Sequence, residues 1–144
     1  MYKIIMNYIF ESIIVGVYGS IIFLLIRNFI KNIYLLLFLI GFIKHLFGYL
    51  LNIHMLYCNY GYACSNKNKT SDKIAIYSNY LWIESIVEGL LYLFIGLMIT
   101  KFISNKLIIV FIIGMLLHLI FEKLKIHNIF CKTRCIASPL YSIH

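Results

Sequence analysis

Charge is what this sequence has least of. Asp, Glu, Lys and Arg make up 12% of its 144 residues, only five of them are acidic, and there is a single proline. A soluble domain carries roughly 25% charged residues, so an ordinary water-facing surface cannot be built from this chain. Also absent are a glycine-rich phosphate loop, a G-x-S-x-G elbow, an H-E-x-x-H helix and a C-x-x-C pair. None of the motif-defined nucleotide-binding, hydrolase or metalloprotease classes therefore has a foothold. The formal charge of +8 is spread over the flanks of apolar runs. Anionic headgroups account for it, and no nucleic acid is needed.

What the chain has instead is 62% hydrophobic residues, gathered into four runs at 8–26, 33–51, 80–100 and 107–121, the last with an amphipathic continuation to 124. At about 1.5 Å per residue, runs near twenty residues cover a hydrocarbon core of about 30 Å. The expectation is an all-α integral membrane protein with four transmembrane helices and the lipid bilayer as its first partner. The first run carries Glu11 and lacks a small-x-small cleavage site, so it is expected to stay in the mature protein. Tyr34, Tyr77, Tyr80 and Trp82 fit interfacial anchoring.

The second half of the chain repeats the first. A shift of 73 residues superposes Glu11 on Glu84, Ser12 on Ser85, Gly16 on Gly89, Gly41 on Gly114, His45 on His118, His54 on His127 and Cys58 on Cys131. Glu, His and Cys are rare here, so the coincidence reads as two tandem duplicated helical hairpins. The expected division is 1–58 for the first hairpin repeat, 59–79 for a polar loop, 80–131 for the second repeat and 132–144 for a C-terminal tail. Because each copy crosses twice, the copies would be related by a pseudo-twofold axis along the membrane normal.

Lys3, Lys67, Lys69, Lys73, Lys123, Lys125, Lys132 and Arg134 fall on the side of the termini, against Arg27, Lys31, Lys101 and Lys106 on the other. The positive-inside rule then predicts cytoplasmic termini. A glycosylation sequon, Asn68-Lys69-Thr70, lies in the long loop and would report on this orientation.

Four of the five acids, Glu11, Glu84, Glu88 and Glu122, lie within or at the edge of the apolar runs, leaving Asp72 alone in a loop. A charge at mid-membrane costs about 2.5–3.5 kcal/mol even on the lenient insertion scale, so such residues face the bundle interior with partners. Glu11 and His45 share a depth on the terminal side, as do Glu84 and His118, so one layer could hold two Glu and two His. Glu84 with Glu88 and His118 with Glu122 are i,i+4 pairs on one helix face. Glu88 and Glu122 have no acidic counterpart in the first copy, and Lys44 is the candidate charge partner. The set Glu11, His45, Glu84, Glu88, His118 and Glu122 resembles in composition the four-helix carboxylate sites that hold two metals, although Glu-x-x-His is missing. A divalent transition metal is the cofactor this composition would suit. Interhelical hydrogen-bond glue is the plainer alternative.

A second constellation caps the terminal side: His54, Cys58 and Cys64, and His127, Cys131 and Cys135. A cytosolic location favours thiols or metal ligands there. A lumenal one favours disulfides, with Cys58–Cys64 and Cys131–Cys135 as the first pairing to consider.

The segments GFIKHLFGYLLNIHMLYCNYGYAC and ESIVEGLLYLFIG resemble small four-helix membrane proteins of uncharacterised function encoded by large DNA viruses. That resemblance implies a viral or virus-modified host membrane and brings no activity. Three functional readings stand: a metal-binding protein with redox or hydrolytic chemistry, a structural or assembly protein of a viral or internal membrane, and a small proton or cation conductor. A homo-oligomer or other membrane proteins are the partners each leaves open.

Overall fold

The computed structural model describes residues 7–65 and 73–137. The described residues form seven helices, α1 (Tyr8–Ile26), α2 (Ile33–Leu50), α3 (Ile53–Tyr60), α4 (Tyr62–Ser65), α5 (Leu81–Ile99), α6 (Lys106–Lys123) and α7 (Ile126–Arg134), with two short strands, β1 (Lys73–Ala75) and β2 (Cys135–Ala137). Lys3, Lys67, Asp72, His144 and the sequon at Asn68 lie outside the described residues.

Asparagine starts three of the long helices. The Asn7 side chain accepts from the Ile9 N–H, Asn32 from Tyr34 and Leu35, and Asn105 from Leu107 and Ile108, each satisfying donors that the first helical turn leaves open. Two residues in the left-handed region, Asn52 at φ 59° and Lys125 at φ 58°, break α2 from α3 and α6 from α7. At the second break the chain bends by 78°. α5 and α6 begin 73 residues after α1 and α2, and α7 begins 73 residues after α3.

Helices α1, α2 and α5 are each long and apolar enough to cross a membrane, and α6 qualifies when counted with α7 across the bend. Lys106, Glu122 and Lys123 lie at the ends of α6 and shorten its apolar stretch. The four runs are therefore helical as expected. The short cap helices α3, α4 and α7, which lie in or beside segments read as loop and tail, are additions to that picture.

Helix packing does not follow the hairpins. α2 packs chiefly on α5 and α1 on α6, while α1 with α2 and α5 with α6 touch far less. Glycines set both close approaches. A Cβ on Gly41 would lie 2.6 Å from the Glu88 carbonyl oxygen, and one on Gly89 would lie 2.8 Å from that of Phe38. At the other interface a Cβ on Gly16 would lie 2.8 Å from the Phe111 carbonyl, and one on Gly114 would lie 3.0 Å from the Gly16 Cα. Small residues at such crossings let backbones meet where lipid supplies no hydrophobic drive. Tyr92, fully buried, spans the two pairs: its hydroxyl lies against Gly19 and Gly114, and its ring against Gly41. Ile22, Leu37, Ile40, Ile109 and Ile113 fill the rest of the core. Large apolar side chains such as Phe10, Leu25, Phe94 and Met98 point outward, as lipid contact requires.

The cap end is tied down by β1 and β2, paired antiparallel with Ile74 opposite Ile136. Asn59 of α3 holds the same segment, accepting from the Lys73 N–H at 2.7 Å and donating to its carbonyl at 2.8 Å.

Gly41→Ala should destabilise the protein even though alanine is the better helix former, because the added carbon meets backbone and the helices must part. Overpacking of this kind costs typically about 1–3 kcal/mol. Thermal unfolding in detergent checks it, with Leu90→Ala on the outer face as control; a neutral or stabilising Gly41→Ala would contradict the close approach.

Candidate functional site

The Glu and His residues singled out in the sequence lie at the cap end of the bundle, Glu11, Glu88 and His118 buried and His45, Glu84 and Glu122 less so, and they divide into two pockets instead of one shared layer. Each pocket belongs to one of the two tight helix pairs. This follows from the packing: Glu84 and Glu88 meet His45 of the other half of the chain, and Glu11 meets His118, while Glu122 meets His127 of its own half.

In the first pocket, α2 contributes Lys44 and His45, and α5 contributes Glu84 and Glu88. His45 Nδ1 lies 2.7 Å from Glu88 Oε2, and Nε2 lies 3.4 Å from Glu84 Oε2. Lys44 pairs with Glu88, and Arg134 reaches in from α7 to pair with Glu84. The Lys44 ammonium also stands 5.6 Å from the centre of the Tyr92 ring, an attractive cation–π placement. Two carboxylates thus meet a lysine, an arginine and one imidazole. The arrangement is charge-balanced by the chain itself.

In the second pocket, α1 contributes Glu11, α6 contributes His118 and Glu122, and α7 contributes His127. Glu11 is nearly fully buried; its Oε2 lies 3.2 Å from His118 Nε2, and its Oε1 accepts from the Tyr62 N–H at 2.5 Å. Glu122 Oε2 lies 2.7 Å from His127 Nδ1. One ligand atom from each of His118, Glu122 and His127 falls within 4.8 Å of the others. The His118 and His127 rings are 4.5 Å apart, and Tyr57 packs its ring on both.

One Glu–His pair corresponds between the pockets under the shift of 73: His45 with Glu84 in the first answers to His118 with Glu11 in the second, whereas Glu88 answers to Val15 and Glu122 to Tyr49. Their cations do not correspond. Lys44 answers to Leu117, and Arg134 to Gly61. Among the described residues, no lysine or arginine pairs with Glu11 or Glu122, whereas both glutamates of the first pocket have one.

Between the pockets runs a row of rings. His54 stands 5.2 Å from His45 and 5.4 Å from Phe130, and Phe130 stands 6.0 Å from Tyr57. His54 was expected among the cysteines. It lies in this row instead, with Nε2 over Gly48, because the left-handed turn at Asn52 folds α3 back toward the end of α2. Burial, followed by the charge of His45, pushes the His54 pKa down to about 4. His127 likewise leaves the cysteine group for the second pocket.

The four cysteines pair across the caps. Disulfides link Cys58 to Cys135 and Cys64 to Cys131, with Cα separations of 5.5 and 5.3 Å. The within-cap pairs Cys58–Cys64 and Cys131–Cys135 do not form, since α4 packs on α7 and brings each cysteine of one cap against one of the other. Four cysteines allow three connectivities, and spacing alone could not choose among them. Arg134 carries no sequence signal beyond its place in a basic flank, and neither does the Tyr62 N–H.

Compared with known proteins, the chain matches no family model, no curated sequence and no solved structure.

Protein isolated without reductant should yield cross-linked peptides joining Cys58 to Cys135 and Cys64 to Cys131. Recovery of Cys58–Cys64 would contradict the cap packing. A second expectation concerns pH. His54 stays neutral in the fold while an unfolded histidine titrates near 6.5, so the unfolded state gains protons first as pH falls. Stability should drop from about pH 6.5 toward about pH 4, and this drop should be smaller in His54→Phe. Equal pH slopes for both proteins in a thermal-unfolding series would count against the buried neutral imidazole.

Proposed function

We propose that this is a multi-pass membrane protein that binds one divalent transition-metal ion at His118, Glu122 and His127, with Glu11 positioning His118 beside it. The observation that carries the reading is the difference between the two pockets. Where Lys44 and Arg134 balance Glu84 and Glu88, the equivalent places around Glu11 and Glu122 hold Leu117 and Gly61. Two carboxylates in a low-dielectric interior need a counter-charge, and an ion held by Glu122 and the two imidazoles, close to Glu11, supplies one. The donor set fits: mixed oxygen and imidazole ligands suit zinc, iron(II) or manganese better than a soft metal. Burial of Glu11 and His118 and the Tyr62 N–H on Glu11 orient the inner ligands, as outer contacts do in metal sites generally. Such an ion, when bound, would act as a Lewis acid or activate a water.

The same reading takes the chain as a duplicated hairpin with a pseudo-twofold axis along the membrane normal. The common offset of 73 in helix starts, in the left-handed residues Asn52 and Lys125, and in the glycine contacts with Phe38 and Phe111 supports it. Two added carboxylates, Glu88 and Glu122, then distinguish the second copy from the first, one in each pocket. A structural role without a metal is the alternative, favoured by the self-balanced first pocket.

Metal content of the detergent-purified protein, measured by mass spectrometry, tests this. About one equivalent of a transition metal is expected in wild type, with loss of at least tenfold in affinity in His118→Ala and Glu122→Gln. Glu84→Gln should keep the metal. Leu117→Lys, which places an ammonium where Lys44 stands in the other pocket, should expel it while the protein remains helical. Metal-free wild type that takes up none on titration would leave the structural role.

A further inference from the structure

We propose that the four cap cysteines form a second, redox-dependent metal site: on reduction of the two disulfides, Cys58, Cys64, Cys131 and Cys135 together bind one zinc ion. Cys64 Sγ and Cys135 Sγ belong to different disulfides yet lie 3.9 Å apart. Zinc–sulfur bonds of about 2.3 Å in a tetrahedron set sulfur atoms about 3.8 Å apart, so this pair already has the spacing of two ligands of one ion. The sulfurs of Cys64, Cys131 and Cys135 all fall within 4.8 Å of one another, and Cys58 is bonded to Cys135. All four are therefore in one group, two from each cap.

The surroundings suit thiolates. Cys58 and Cys64 are essentially fully buried and Cys131 nearly so, which gives the closed shell of a structural site. Basic residues stand near the sulfurs: Lys132 follows Cys131 in the chain, and the Lys73 ammonium donates to the Cys64 carbonyl at 3.1 Å. Positive charge beside a thiol favours the thiolate form that binds metal. A four-thiolate zinc carries a net charge of −2, and these neighbours offset it.

The steps balance. Each disulfide takes two electrons and two protons from a dithiol, which itself closes to a disulfide, giving four cysteine thiols in all. Zinc then displaces four protons to make the four zinc–sulfur bonds. Both states join the same points of the two caps, so the cap stays cross-linked whether its side of the membrane is oxidising or reducing. That resolves a conflict in the chain: cross-cap disulfides belong to an oxidising compartment, whereas the excess of basic residues on the cap side points to the cytosol.

The test uses the full-length protein in detergent, reduced with a water-soluble phosphine, stripped of metal and titrated with cobalt(II) without oxygen. One cobalt per chain should bind with thiolate-to-cobalt charge-transfer absorption and the visible bands of a tetrahedral four-sulfur site. The oxidised protein should show neither. Cys135→Ser should lose most of the charge-transfer absorption, and His118→Ala should keep it, which separates this site from the carboxylate–histidine pocket. Should reduction loosen the caps, stoichiometric zinc is expected to raise the unfolding midpoint of the reduced protein. Reduced protein with four titratable thiols that shows no thiolate–cobalt absorption and no zinc-dependent rise would overturn the proposal, as would cobalt bound through oxygen and nitrogen alone.

Discussion

A carboxylate carried into an apolar bundle needs a partner within a few ångströms, and this protein carries three there, Glu11, Glu88 and Glu122, with Glu84 at the partly exposed edge. Satisfying Glu11, Glu84, Glu88 and Glu122 constrains nearly everything at the cap end. Glu84 and Glu88 take Lys44 and His45 from α2 and Arg134 from α7, which fixes α2 against α5 and draws α7 over the bundle. Glu11 takes His118 from α6 and the Tyr62 N–H from α4, which fixes α1 against α6 and seats α4 on the end of α1. The contacts of Glu88 with Lys44 and His45, and of Glu11 with His118, join elements from opposite halves of the chain, whereas Glu84 with Arg134, Glu122 with His127 and Glu11 with the Tyr62 N–H lie within one half.

Sterics make those contacts possible. Gly41 and Gly89 on one interface, and Gly16 and Gly114 on the other, bring backbones close enough for His45 and His118 to reach across. Tyr92 then fills the space that Gly19 and Gly114 leave, locking the pairs together. At the caps, disulfides closing loops of 77 and 67 residues remove conformational freedom from the unfolded chain. In the chain-entropy account the first of these contributes about 4 kcal/mol, and the second less because its loop is already shortened. The pockets are in this way held from two sides, by glycine crossings within the bundle and by cross-links above it.

Much of this was legible in the sequence because the informative residues are rare. Glu11, His45, Glu84 and His118 stand out against an apolar background, and the 73-residue shift sets them at a common depth. The partner of each was not legible: at equal depth, Glu11 faces either His45 of its own hairpin or His118 of the other, and helical periodicity cannot choose. The cap was harder still. The left-handed turns at Asn52 and Lys125 carry neither glycine nor proline; asparagine tolerates that conformation and marks the first only weakly, and lysine does not mark the second. Without those turns His54 and His127 read as companions of the cysteines, and Arg134 reads as one more basic flank. The loss of symmetry between the pockets, Lys44 against Leu117, was visible from the start. Its meaning depended on knowing which glutamates each pocket holds.

The unequal charge balance of the two pockets is the centre of the account, and anomalous scattering from crystals of the metal-loaded protein tests it most directly. The account predicts a single peak among His118, Glu122 and His127 under oxidising conditions, with Lys44 in contact with Glu88 and no peak beside it. A peak between Glu84 and Glu88, or Glu11 and Glu122 satisfied by a lysine or arginine with no metal taken up, would contradict it.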